Sequence, residues 1–151
     1  MIRASRWSAT FGLALLLAAL LPARGVAHEV PANVTVLAFV RPEGRVLRVL
    51  VRVPLESLRD IEIPLHGPGY LVLDGLDPLL RDAVRLWVVD YLEIREDDRV
   101  LGPPAITALR VALPSDRSFA TWDDALAGVR APPIDAATQL PWQQALVDVL
   151  L

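Results

Sequence analysis

From Arg45 to Val53 the chain alternates with a period of two. Leu47, Val49, Val51 and Val53 fall on one side, Arg48 and Arg52 on the other. The pattern predicts a half-buried strand whose arginines face water and cost little to replace, within roughly 1 kcal/mol. Residues 34–40 are rich in β-branched and apolar types and predict its partner. Pro42-Glu43-Gly44 supplies the turn, because Pro fixes φ and Gly accepts a positive one. Pro54 ends the strand, and 55–60 reads as a short helical turn. Two Pro and two Gly between Ile63 and Gly69 exclude regular structure there.

Residues 70–73 read as a short strand. Asp77-Pro78 then predicts a helix start, with Asp77 as the N-cap and Pro in the first turn. The helix covers about 78–90, with Leu80, Val84, Trp87 and Tyr91 on one face. A second hairpin follows, 92–95 with 99–101 around Glu96-Asp97-Asp98. Residues 106–113 predict a strand with Thr107, Leu109, Val111 and Leu113 on one side. Ser118 is expected to cap a second, shorter helix at about 119–127, with Trp122 and Leu126 inward. A Pro-bearing connection, 131–141, leads to a last strand at 144–151. Antiparallel hairpins with one principal and one short helix predict an α+β or mainly β domain.

Residues 1–27 change the picture of where this domain works. Arg3 and Arg6 precede an apolar stretch of about 13 residues, too short for an ordinary spanning helix. Pro22 breaks that stretch, and Gly25-Val26-Ala27 puts small residues at the −3 and −1 positions of a cleavage site. A signal peptide cleaved after Ala27 leaves residues 28–151 as a single domain on the periplasmic side of the inner membrane. Three of the 15 basic residues, all Arg, leave with the signal. The remaining 12 meet 18 acids, a net charge of −6. Such a surface does not attract nucleic acid or anionic lipid. There is no Cys, which excludes disulfides and thiol chemistry.

Chemistry-bearing residues are few. The two histidines, His28 and His66, lie near no G-x-S-x-G nucleophile turn. Cleavage after Ala27 would make His28 the first residue, so its α-amine and near ring nitrogen can chelate one Cu(II) or Ni(II) ion. His66 is the only second imidazole, and Glu29 can add an oxygen. His66-Gly67-Pro68-Gly69 lacks the Lys and Ser or Thr of a phosphate loop. Trp87, Trp122 and Trp142 are expected in the core rather than on a shared sugar platform. The chain stops inside the apolar run 145–151, which reads as the front part of a longer protein whose last strand is left an uncovered apolar edge.

Several segments together carry a resemblance. Ala27-His28-Glu29-Val30-Pro31, Val34-Thr35-Val36-Leu37-Ala38-Phe39-Val40 and Leu50-Val51-Arg52-Val53-Pro54-Leu55 are three of them. The others are Gly67-Pro68-Gly69-Tyr70-Leu71, Leu113-Pro114-Ser115-Asp116-Arg117-Ser118-Phe119-Ala120 and Gln144-Ala145-Leu146-Val147-Asp148-Val149-Leu150. They resemble the extracytoplasmic front domain of bacterial HupE/UreJ-like membrane proteins, across residues 28–151. The resemblance implies a soluble module that precedes a polytopic membrane domain, its expected partner. Relatives with that membrane part are associated with nickel handling. The membrane part is not in this sequence, so transport does not carry over. The expected function is a non-enzymatic, periplasm-facing accessory or interaction domain with no cofactor. A metal-binding module built on His28, His66 and Glu29 is the alternative, and a hydrolase of unknown substrate comes third.

Overall fold

Gly44, at φ 62°, reverses the chain between β1 (Leu37–Glu43) and β2 (Val46–Pro54), where a side chain would be strained. This hairpin begins the fold of a computed structural model that describes residues 34–151. The pairing sets Val40 against Val49 and Phe39 against Leu50. Two short hairpins follow in sequence. One is β3 (Leu65–His66) with β4 (Tyr70–Leu71), the other β5 (Arg95–Glu96) with β6 (Arg99–Val100). Strands β7 (Ala108–Ala112) and β8 (Leu146–Leu150) complete an antiparallel sheet of order β1-β2-β8-β7. The domain is α+β, one of the two classes its sequence predicts.

Each face of the sheet carries one helix. Val49, Val51 and Val53 share a core with Val147 and Val149, and with Leu80, Ala83 and Val84 of helix α1 (Asp77–Val84). Leu109 and Val111 of β7 pack against the same cluster, as their spacing predicts. On the opposite face Leu50, Leu150 and Phe119 close over Ala125 and Val129 of helix α2 (Trp122–Arg130). Burial of each large apolar side chain contributes roughly 1.5–3 kcal/mol, so the two clusters supply most of the drive to fold.

Several expectations need correction. Arg52 does not face water: it is 5% exposed, because the centre of the sheet is covered on both sides. The last strand is not an uncovered edge. β8 lies between β2 and β7, and Val147 to Leu150 are buried. The segment 63–69 is not wholly irregular, since Leu65 and His66 pair with Leu71 and Tyr70 around the Gly67-Pro68 turn.

Both helices start elsewhere than expected. Leu76 occupies the cap position of α1, and the Asp77 carboxylate accepts from Arg81 Nε at 2.6 Å instead of capping. Beyond Val84 the helix runs on as a π turn, Arg85–Val89. The wider turn inserts one residue and rotates the apolar face, so Val89 is buried and Tyr91 is exposed. Tyr91 instead stacks on Trp87, whose indole N–H donates to the Arg59 carbonyl at 2.7 Å. The second helix is capped by Thr121, whose Oγ1 accepts from the Asp124 N–H at 3.2 Å. Ser118 opens only a 3-10 turn, Ser118–Ala120, because its hydroxyl is engaged with Arg52. Among the described residues no helix is long and apolar enough to cross a membrane.

Candidate functional site

Register places three charges side by side across the sheet. Arg52 of β2 faces Asp148 of β8, and Asp148 faces Arg110 of β7. Arg52 Nε and Nη2 donate to the two oxygens of Asp148 at 2.6 and 2.8 Å, a bidentate pair. The loop after β7 closes the row from above. Arg52 Nη1 donates to the Asp116 carbonyl, and Nη2 reaches the Asp116 carboxylate and Ser118 Oγ, each at 3.0 Å. Arg110 Nη1 donates to the other Asp116 oxygen at 3.2 Å. The Phe119 ring lies 4.4 Å from the Arg52 guanidinium carbon.

Burial alone would raise the Asp116 pKa. Hydrogen bonds from the Ser118 hydroxyl and N–H, then from Arg52 and Arg110, outweigh it and hold the carboxyl well below the usual carboxylate range. Asp148 is fully buried and loss of water pushes its carboxyl upward, against the opposing pull of Arg52. Two cations and two anions balance, and no buried side-chain polar atom among the described residues lacks a partner. The row is therefore structural: every nitrogen of the Arg52 guanidinium already donates to a protein oxygen.

The open chemistry lies at the edge of the sheet. Val49 and Leu151 exchange both backbone bonds, at 3.0 and 2.8 Å. Alternation along β8 then turns Val147 and Val149 toward β2, and Leu146, Asp148 and Leu150 toward β7. On β7 the residues bonded to β8 are accordingly Ala108, Arg110 and Ala112. The N–H and C=O of Leu109 and Val111 point away from the sheet, with no backbone partner among the described residues. They face a cleft of about 600 Å³. Residues 73–77 and the first turn of α1 form one wall, and 129–136 the other. Thr107 carries the only hydroxyl lining this cleft, and it donates to the Leu150 carbonyl at 3.0 Å. Leu76, Leu80, Val129 and Ile134 make the walls apolar, while Arg81, Arg110 and Arg130 bring positive charge. Arg81 is held by Asp77 and Arg110 by Asp116. The lining offers backbone hydrogen bonds and apolar surface, with no nucleophile and base in contact.

The sequence-predicted metal residues fare differently. His28 and Glu29 lie outside the described residues. His66 is exposed in the β3–β4 hairpin, its ring 5.8 Å from that of Tyr70. Among the described residues no three His, Asp or Glu side chains gather as a metal site. The three tryptophans do not form one platform. Trp87 and Trp142 pack on the α1 side of the sheet and Trp122 on the α2 side. Sequence reasoning missed both the charge row and the free β7 edge. Asp148, the lone charge within the run 145–151, was the one signal that a buried partner had to exist. Compared with protein-family models, with curated proteins and with solved structures, the chain finds a match in none of the three.

Proposed function

We propose that this chain acts outside the cytoplasm as a non-enzymatic interaction domain, and that its β7 cleft receives an extended peptide segment of a partner protein. The carrying observation is the unpartnered backbone of Leu109 and Val111 at the floor of an apolar-walled cleft. An extended peptide laid there adds a strand: main-chain bonds supply affinity, and the walls sort its alternate side chains. The export signal at 1–27 and the resemblance to the front domain of HupE/UreJ-like proteins support this reading. Under it the partner is a membrane domain or a protein associated with one.

Selection of peptides from a display library on the cleaved protein, followed by amide exchange on the complex, tests the proposal. A selected peptide should slow exchange at Leu109 and Val111 at least about tenfold, the signature of newly bonded edge amides. Ala136→Trp, at an exposed position on the cleft wall, should abolish binding without lowering the melting temperature. Failure to select any peptide, or binding that leaves both amides unprotected, would sink the reading.

A further inference from the structure

The opposite edge of the sheet is built differently. Here β1 has no second neighbour among the described residues, and Val34, Val36, Leu37 and Val40 are all exposed, Val40 at 63%. A row of large apolar residues on an unpaired edge strand is a liability unless something covers it. Because Val49 bonds to β8, Leu50 and Arg52 bond to β1, through Phe39 and Leu37. Ala38 and Val40 therefore turn their N–H and C=O outward. Carried back two residues, the alternation puts Val36 in the same line.

We infer that this edge pairs with the same edge of a second copy, antiparallel, about a twofold axis through Ala38. The inference is independent of the peptide reading for β7. A twofold axis there sets Val36 of each copy against Val40 of the other, and Leu37 against Phe39, so the exposed apolar positions meet one another. The surface is self-complementary, as an isologous interface requires. Charge argues for a second copy over a foreign partner. Residues 34–40 carry no charge, and the charges that follow are already engaged, Arg41 with Asp123 at 3.6 Å and Glu43 with Arg48 at 3.3 Å. In this register Arg41 faces Thr35 of the second copy, so no like charges oppose. Pro42 lacks an N–H and ends the ladder at one side, which disfavours registers shifted toward the turn. The β7 edge is recessed between the walls of its cleft, whereas Val36, Ala38 and Val40 along the β1 edge are exposed.

The test is the mass of the cleaved protein by light scattering, from low to high micromolar concentration. Wild type should pass from one copy to two, and Val36→Lys/Val40→Lys should remain at one copy with an unchanged circular dichroism spectrum. Oxidation of Ala38→Cys gives a readout that does not depend on that variant folding. A bonded antiparallel pair holds its Cα atoms about 5.5 Å apart, within disulfide reach. The chain has no other Cys, so a covalent dimer reports this contact alone. The cross-link should form faster than with Ala127→Cys on the exposed face of α2. A single copy at every concentration, pairing that survives both lysines, or cross-linking no faster than the control would overturn the inference.

Discussion

Replacing Asp148 by Asn probes the centre of the sheet with the smallest change of shape. The carboxylate is fully buried and takes two donors from Arg52, so the substitution removes a charge and leaves an amide in its place. What remains is two guanidinium groups, Arg52 and Arg110, facing the one carboxylate of Asp116. Breaking a buried ion pair from one side costs about 3–5 kcal/mol, because the surviving charge stays out of water. The amide oxygen retains one acceptor, which places Asp148→Asn near the lower end, about 3 kcal/mol. Against a total stability of about 5–15 kcal/mol this is a large loss. Urea unfolding reads it as a lowered midpoint at constant slope. Arg52→Met/Asp148→Leu should recover much of the loss, since an apolar pair of similar volume avoids the unpaired charge. A change of under about 1 kcal/mol in Asp148→Asn, with the slope preserved, would mean that the pair is not buried as described.

Two further outcomes follow from the same neighbourhood. Asp116 has a folded pKa below its unfolded value, so the unfolded chain binds its proton first as the pH falls. Its contribution is complete above about pH 4 and is lost as the pH drops through the folded pKa, so the deficit of Asp116→Asn in urea midpoint should be largest near neutrality and shrink in acid. A deficit independent of pH would contradict this. A Cβ at Gly128 would lie 2.8 Å from Ser118 Cβ and Oγ, so Gly128→Ala should displace the hydroxyl that receives Arg52 and lower stability by about 1–3 kcal/mol, measured by thermal melting.

How much of this was legible in the sequence depends on the range of the interaction. The β1–β2 hairpin was readable because its determinants are local: alternation from Arg45 to Val53 and a glycine where the turn needs positive φ. The α1 face was readable up to Val84, where 3.6 periodicity holds, and failed at Tyr91 because no local signal marks the π turn. Ser118 was misassigned for a different reason. Ser and Thr at positions 118 and 121 are equally good caps by type, and only a residue 66 positions away decides which hydroxyl is free. Arg52 failed most clearly. An arginine opposite four apolar positions reads as solvent-facing, and its buried partner lies 96 residues on.

That misreading bears on the site as well. Period-two side chains mean that a slip of one residue in β7 or β8 would carry Arg110 or Asp148 into the apolar α1 face. The charge row therefore penalises wrong registers far more than an apolar pair of the same volume would, and its value lies in specificity as much as in stability. In the observed register, Arg110 bonds Asp116 on one side and the Pro132 carbonyl at 3.2 Å on the other, tying the β7 edge to the loop that walls the cleft. The orientation of Leu109 and Val111, and with it the line of outward donors and acceptors along that edge, is thus tied to Arg110 on the opposite face of the same strand and to the buried Asp148 it faces. Arg52, which reads as a surface residue in the sequence, and Asp148, the lone charge of the run 145–151, anchor the register that gives the β7 edge its orientation.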